Sequence, residues 1–519
     1  MAEGHRSLPL TLPVLPAAWQ ENRAVALLLE WYGLPLSALL GLVASLIYVL
    51  APDTMRPIFD DSYISLTYAR NLAEHGKLSY DGHAWSTGAT SPLHVAIMAV
   101  PIALGVEPFR VSVGVGVVSH AALCVGVYLL TWAVFRSKLA SFFAALAIAF
   151  TGFAALDSGN GLETSLFMAL LSFAMASFLL FPTSPGRLVT GVLIALLIWT
   201  RPEGALMLPA VLTYRWLERN EGETLRDYFN DALLLAGPGV FAIGTLVLYS
   251  LLVNGTIAGT ASAKWRFFQE DEQPLEGKVS AMGWNMGLFL GTVVSLIPLA
   301  ALVVTRKPAL LFALFFTPIV VLYLELFPGG FGHYFYRYQH PMLPLLCVLA
   351  GGGAVYLIDL ARQKRDAVVW GLVAAALVLA VVPMWKQYEI YEGNYRQASF
   401  ETYEDLEQMA LDLNTIIKPD ETLATHDIGA VGYFGKFHVL DMVGLVNDEV
   451  IPYHENRTFP RYFDAVGADY LLVFPEWDLW FFGLHPDQHP ERFQLVKSYP
   501  GGPIRVSPYV LYRVLDTGP

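Results

Sequence analysis

Two cysteines in 519 residues leave no room for a disulfide framework or a cysteine-based metal site, and both lie inside apolar runs, at Cys124 and Cys347. Charge is scarce as well. Only 15% of the residues are Asp, Glu, Lys or Arg, where a soluble protein carries about 25%. The formal charge of −13 argues against nucleic acid as a partner. The sequence has no phosphate-binding P-loop, no G-x-S-x-G and no dinucleotide fingerprint. Internal repeats, low-complexity tracts and lipidation motifs are also missing. No small-residue cleavage site follows the first apolar run, so that run is expected to stay as a span.

What the chain has is apolar length. Hydrophobic residues make up 55% of it and the mean hydropathy is +0.48. Runs near 20 residues recur, the signature of a polytopic α-helical membrane protein. The expected spans are 33–51, 110–135, 138–156, 163–182, 187–201, 204–217, 232–253, 283–304, 308–326, 339–360 and 367–385, about eleven transmembrane helices in all. The run "SPLHVAIMAVPIALG" (Ser91–Gly105) is shorter than the ~20 residues needed to cross, and Pro92 and Pro101 interrupt it. If it does not cross, the N-terminus and the basic loops at Arg136, Arg187, Arg215 and Arg362 all fall on the cytoplasmic side. It is therefore expected to be a juxtamembrane element in a first outer loop, 53–109. The N-terminus is then cytoplasmic, and the loops rich in Gly, aromatic and unusual polar residues gather outside. Residues 1–385 form the transmembrane domain on this division. The tail, 386–519, alternates β-rich runs ("TLAT", "HVLDMVGL", "DYLLVF", "YVLYRVL") with helical ones ("TYEDLEQMALDLNTII"). It is expected to be a small extracytoplasmic α/β domain.

The first outer loop opens with "IFDDSYISLTYARNLAEHG". Asp60 and Asp61 stand where a helix starts and Gly76 where it stops. One aspartate can serve as the N-cap; the other is left over. Mutual repulsion and an apolar boundary raise a carboxyl pKa. Such a group can take a proton from an attacking alcohol or bind a divalent cation. The residues alone leave both roles open. Asp60 is slightly preferred as the base, because Asp61 lies nearer the helix.

Three cations stand among aromatic and small residues on the same predicted face: Lys264 in "TASAKW", Arg337 in "HYFYRYQHP" and Arg201 in "WTRPEG". Cations at membrane depth are costly. They mark an anionic ligand such as phosphate, or a carboxylate partner, or they snorkel to headgroups. Glu203 is a ready partner for Arg201. Further candidates for substrate contact are Tyr63, Asp157 and Glu163 (the acids in "LDSGNGLET"), His333, His426 and Asp427. His333, His340, His426 and Asp427 match neither H-x-x-x-H nor H-E-x-x-H. No cofactor is required by the sequence, and a divalent metal has no support beyond the presence of carboxylates.

In order along the chain, "FDDSYISLTYARNLAEHGKLSYDG", "TGATSPLHVAIMA", "GLETSLFMALL", "TRPEGAL", "GTASAKW" with "GGFGHYFYRYQHPMLPLL", and "DIGAVGYFGKFHVLDMVGL" resemble the GT-C class of membrane glycosyltransferases. The nearest group is that of the mycobacterial terminal arabinofuranosyltransferases. "STGATSPLH" departs from the tryptophan-ended form of that group. The resemblance implies a polyprenyl-phosphate-sugar donor, a glycan or glycolipid acceptor hydroxyl, and inversion at the sugar carbon. It also implies a catalytic aspartate in the first outer loop (Asp60 or Asp61) and donor-phosphate contacts from Lys264 and Arg337. The setting implied is the outer face of a bacterial cytoplasmic membrane, with arabinofuranose as the nearest sugar. A transporter or flippase and a non-catalytic envelope protein are the alternatives.

Overall fold

The apolar runs form helices, and local chemistry sets their ends. The computed structural model describes residues 23–52, 55–219, 222–257, 274–304, 307–326, 329–504 and 506–515. Among them, six helices are long and apolar enough to cross a bilayer, or seven if the pair Leu275–Thr292 and Val294–Ala301, bent by 70°, makes one span. Pro92–Ala103, Lys138–Ala149, Thr164–Leu180 and Ser184–Thr200 are shorter apolar helices. The protein is thus a multi-pass membrane protein, but not one of eleven uniform spans. The run expected at 138–156 breaks after Ala149, where the Thr151 hydroxyl bonds back to the Ala147 carbonyl at 2.7 Å. The run expected at 204–217 follows a break at Arg201, which is extended (φ −153°, ψ 139°) ahead of a 3-10 turn, Pro202–Leu206. Proline has no N–H and disfavours a helical residue before it.

The long helix Pro108–Phe135 is the hub of the bundle. It packs on Arg23–Val49, Lys138–Ala149, Thr164–Leu180 and Met342–Lys364. The first outer loop forms the helix Asp60–His75, stopped by Gly76 at φ +67°, where glycine adopts a left-handed conformation without steric cost. Pro92–Ala103, the element expected beside the membrane, lies against it. The helix Ala367–Glu401 is 35 residues long and runs without a break through 385/386. It passes through a π turn, Thr402–Glu407, into Gln408–Ile416.

The C-terminal sheet has five strands: β1 Thr422–Thr425, β2 His438–Asp441, β3 Tyr470–Val473, β4 Phe493–Tyr499 and β5 Tyr509–Val514. Their order is β2-β1-β3-β5-β4. β1 runs parallel to β2 and β3, and β5 runs antiparallel to β3 and β4. Strand β4, absent from the sequence expectation, is an edge strand whose inner five residues are exposed. Its "FQLVKSY" therefore lacks the apolar alternation that marks a half-buried strand. The central strand β3 is buried on both faces. Tyr470 and Leu472 point into a core shared with the loop helices through Tyr63, Leu66, Val95 and Met98. Leu471 and Val473 point the other way, towards Phe459, Phe463 and Phe493, as the two-residue period of a strand requires.

The sheet domain is therefore seated on the first outer loop, and polar contacts fix the seat. Tyr80 donates to the Ile428 carbonyl at 2.5 Å and Thr402 to the Ile58 carbonyl at 3.0 Å. Arg56 pairs with Glu407. Asp60 meets the start of the short helix Gly429–Phe434, where a Cβ on Gly429 would lie 1.9 Å from the Asp60 carbonyl oxygen. Only glycine fits there. Gly429→Ala is expected to cost about 1–3 kcal/mol through overpacking and to speed tryptic release of the C-terminal domain. Wild-type protection in that assay would show that the two parts are not held at this point.

Candidate functional site

Neither aspartate caps the loop helix. The N-cap is Phe59, extended at φ −126° and ψ 146°, and both Asp60 and Asp61 lie in the first helical turn, where the helix dipole favours negative charge. The expectation that one of them caps is thus corrected, and the two carboxylates are separated by what they face. Asp60 is buried, 4% exposed. Its Oδ2 accepts from the Gly429 N–H at 2.7 Å and its Oδ1 from the Ala430 N–H at 2.8 Å. Both oxygens are engaged by the C-terminal domain. Burial, with the charge of Asp427 close by, pushes the Asp60 carboxyl up to about 7.

Asp61 faces a cavity of about 120 Å³ that Glu163, Arg201, Glu203, Tyr323 and Arg337 also line. Arg201 comes from the "TRPEG" break and Arg337 from the "HYFYRYQHP" turn. Arg201 Nη2 donates to Glu203 Oε1 at 2.8 Å, and its Nε lies 3.7 Å from Glu163 Oε1. The expected Arg201–Glu203 pair is therefore formed, and Tyr323 donates to the same glutamate. Arg337 Nη2 lies 3.4 Å from Asp61 Oδ2. Both guanidinium groups are buried, 5% exposed at Arg201 and 7% at Arg337. Even so, Arg201 Nη1 and Arg337 Nε and Nη1 have no hydrogen-bond partner among the described residues. A buried donor left unpaired costs about 1–3 kcal/mol, so these three nitrogens are an unmet demand for an acceptor at the cavity wall.

The turn that carries Arg337 is strained. Tyr334, Phe335 and Tyr336 have φ of 44°, 57° and 66°, the left-handed region that costs an L-residue roughly 1–2 kcal/mol. Two contacts hold it. Tyr334 stacks on Phe59 with centroids 4.2 Å apart, and the His340 ring bonds the Phe335 carbonyl at 2.8 Å through Nε2. The other nitrogen of His340 lies 2.6 Å from Asp157 Oδ2, and Asp157 Oδ1 accepts from Asn160 at 2.8 Å. Asp157 is fully buried in this network and lines neither cavity. Its expected contact with substrate is replaced by a supporting role behind the turn. Tyr63 likewise lines neither cavity; its ring packs against Phe109, Tyr433 and Phe434.

A second cavity, about 440 Å³, opens between the membrane bundle and the sheet domain. Asp60, Asp61, His333, Tyr334, His426, Asp427, Phe474 and Trp477 line it. His426 and Asp427 follow β1 directly, at the carboxyl end of the strand from which neighbours branch to either side, a common ligand position in α/β sheets. Asp427 accepts from Tyr509 at 2.5 Å. The His426 ring is buried within 4.4 Å of Phe474 and 4.7 Å of Trp477, and that burial lowers its pKa. Lys264 lies outside the described residues. Among the described residues, no three His, Cys, Asp or Glu side chains are grouped to hold a metal ion. Tyr323, Tyr338 and Leu445 also line these walls and were not singled out from sequence. Only their place inside "GHYFYRYQHP" and "DMVGL" could have drawn attention to Tyr338 and Leu445.

The family described as Domain of unknown function (DUF8728) matches residues 388–512. No curated protein matches the chain by sequence. Among solved structures, the oligosaccharyltransferase AglB from Archaeoglobus fulgidus, in complex with an inhibitory peptide and a dolichol-phosphate, aligns with a TM-score of 0.56 at 13% identity. That alignment covers 93% of this chain and 74% of AglB. ArnT from Cupriavidus metallidurans, bound to undecaprenyl phosphate, aligns with a TM-score of 0.58 at 13% identity, over 93% of this chain and 98% of ArnT. The fold is thus that of the GT-C membrane glycosyltransferases, with a small C-terminal sheet domain.

Two outcomes follow from these contacts. Asp157→Ala leaves the buried His340 short of its partner and is expected to lower unfolding stability in detergent by about 3 kcal/mol; a loss under about 1 kcal/mol would remove the network from its supporting role. For Asp60, the folded pKa of about 7 lies above the unfolded value of about 4. The native state then holds the extra proton between those values, so the stability advantage is present at low pH and is lost as pH rises towards 7. The Tm of the wild type minus that of Asp60→Asn is expected to shrink between pH 5 and pH 8. A difference that grows would reverse the sign.

Proposed function

We propose that this chain is a glycosyltransferase that moves a sugar from a polyprenyl-phosphate donor to a hydroxyl of a glycan or glycolipid acceptor. The reaction takes place at the extracytoplasmic face of a bacterial cytoplasmic membrane. The observation that carries the proposal is the position of Asp61: it lines both cavities, with Arg337 beside its carboxylate. Further support comes from the fold, from the dolichol-phosphate and undecaprenyl phosphate bound by AglB and ArnT, and from the arginine nitrogens that have no partner among the described residues. The basic loops on the opposite side favour the outward orientation.

On this reading the donor phosphate occupies the first cavity, against Arg337 Nε and Nη1 and Arg201 Nη1. Three carboxylates (Asp61, Glu163 and Glu203) face two guanidinium groups there. An entering phosphate therefore calls for one more cation, the role proposed for Lys264. The acceptor enters the second cavity, where aromatic rings and carboxylates offer the stacking faces and hydrogen-bond acceptors that a sugar uses. The acceptor hydroxyl oxygen attacks the anomeric carbon from the face opposite the phosphate and its proton passes to Asp61. The bond from that carbon to the phosphate oxygen breaks, and the lipid phosphate leaves against the arginines, inverting the centre. His333, His426 and Asp427 are proposed to bound the acceptor, and Glu163 to fix Arg201. Between the two aspartates, we assign the base to Asp61 in place of Asp60, because both oxygens of Asp60 already accept backbone N–H groups. Arabinofuranose is the proposed sugar, on the resemblance of "FDDSYISLTYARNLAEHG" and the motifs after it.

With radiolabelled polyprenyl-phosphoryl arabinofuranose and the protein in nanodiscs, Asp61→Asn is expected to lower kcat by about 10²–10⁴-fold. Asp60→Asn should cost about tenfold or less, through the seating of the domain. Arg337→Ala should raise the donor KM. Full transfer by Asp61→Asn would remove the base, and transfer retained by Asp61→Asn but lost in Asp60→Asn would return the role to Asp60.

A further inference from the structure

We infer that Leu445, carried by the C-terminal domain, is the wall that keeps water from the donor while the acceptor site is empty, and so decides between transfer and hydrolysis. The inference rests on the reaction proposed above. Among the described residues, Asp61 and Leu445 are the two that line both cavities. One is the proposed base; the other is an apolar side chain that offers water no hydrogen bond.

The loop that presents Leu445 is built to hold it. It leaves the end of β2 at Asp441, whose carboxylate is 1% exposed. That carboxylate accepts from the N–H groups of Val443, Gly444 and Val446 at 2.9, 3.0 and 2.7 Å. Gly444 takes φ +95°, a value natural only to glycine. On its outer side the loop is pressed against the segment of the first outer loop that walls the donor cavity. A Cβ at Gly88 would stand 2.5 Å from the Leu445 carbonyl oxygen and 2.6 Å from the Tyr68 hydroxyl. Ser86 Oγ, 2.6 Å from the Tyr68 hydroxyl, also reaches the Val446 carbonyl at 3.5 Å. The loop is thus bound tightly on both sides, and it sets Leu445 where the two cavities meet.

The chemistry makes that position consequential. A sugar held on a phosphate leaving group is open to any oxygen nucleophile that Asp61 can relieve of a proton. If water attacks, its oxygen bonds the anomeric carbon, its proton passes to Asp61, the carbon–phosphate-oxygen bond breaks, and free sugar and lipid phosphate result. The acceptor hydroxyl gives the same bond changes with a glycosidic product. Excluding water is what separates the two outcomes, and an acceptor has not yet arrived when the donor first binds.

The test needs no acceptor. In nanodiscs, release of free radiolabelled sugar from polyprenyl-phosphoryl arabinofuranose is followed without any glycan, with bound donor counted on the washed discs. Leu445→Ala is expected to release sugar about fivefold faster than wild type or more, with donor retention unchanged. Leu445→Met, which keeps the volume, should stay at the wild-type rate. Adding Asp61→Asn to Leu445→Ala should return release to background. If Leu445→Ala proves unstable, Leu445→Asn, which keeps the branch at Cγ and adds polar atoms, should show the same rise. Wild-type release rates in the folded variants, with donor still bound, would overturn the role of Leu445 and leave the transfer reaction standing. A wild-type protein that neither retains the donor nor transfers its sugar would overturn that reaction and this inference with it.

Discussion

A carboxylate whose two oxygens are both occupied by backbone N–H groups of another part of the chain is the contact on which the rest depends. Asp60 reaches Gly429 and Ala430 across 369 and 370 positions of sequence, and no side chain larger than hydrogen fits at Gly429. The sheet domain is thereby set on the loop helix in one pose. That pose brings the carboxyl end of β1 over Asp61 and the turn after β2 against Gly88. Without it the sheet domain would keep the contacts of Tyr80, Thr402 and Arg56 but lose the one that sets the end of β1 over Asp61.

The two aspartates show how adjacent residues of one type can be given different work by packing. Both occupy the first turn of the same helix. One points at the N–H groups of a neighbouring helix, where a carboxylate is useful for geometry. The other points into a space walled by guanidinium groups. The cost of keeping this space open is visible nearby in three consecutive left-handed residues and in buried arginine nitrogens that have no partner among the described residues. Strain and unmet hydrogen bonds concentrate where a ligand would relieve them. The Asp157–His340 pair and the Phe59–Tyr334 stack hold the turn until then.

Much of the architecture is legible in the sequence because hydrophobic length and loop charge are local signals. The membrane spans, the helix after Asp60, the short helix at Pro92 and four of the five strands can be read that way. The fifth, β4, is exposed along its middle and carries no pattern to read. The break after Ala149 turns one expected span into two pieces, by a side-chain back-bond that a hydropathy window averages away, whereas the break at Arg201 falls between two runs already expected to be separate. The site is legible only as a set of residue types. Asp61, Arg201, Glu163 and Arg337 do converge. Apart from the Arg201–Glu203 pair, the partner of each group could not be read. Asp157 looks free until His340, 183 positions on, is placed beside it. Asp60 looks like the spare carboxylate until Gly429 arrives. Leu445 is an ordinary leucine until two cavities meet at it.

The central claim is that the buried arginine nitrogens of the first cavity exist to receive a lipid-linked phosphate. A cryo-EM structure of the protein in nanodiscs with undecaprenyl phosphate tests it most directly. Phosphate density within about 3 Å of Arg337 Nη1 or Nε and of Arg201 Nη1, beside Asp61, is the expected result. An ordered phosphate bound elsewhere, with those three nitrogens still without an acceptor, would contradict it.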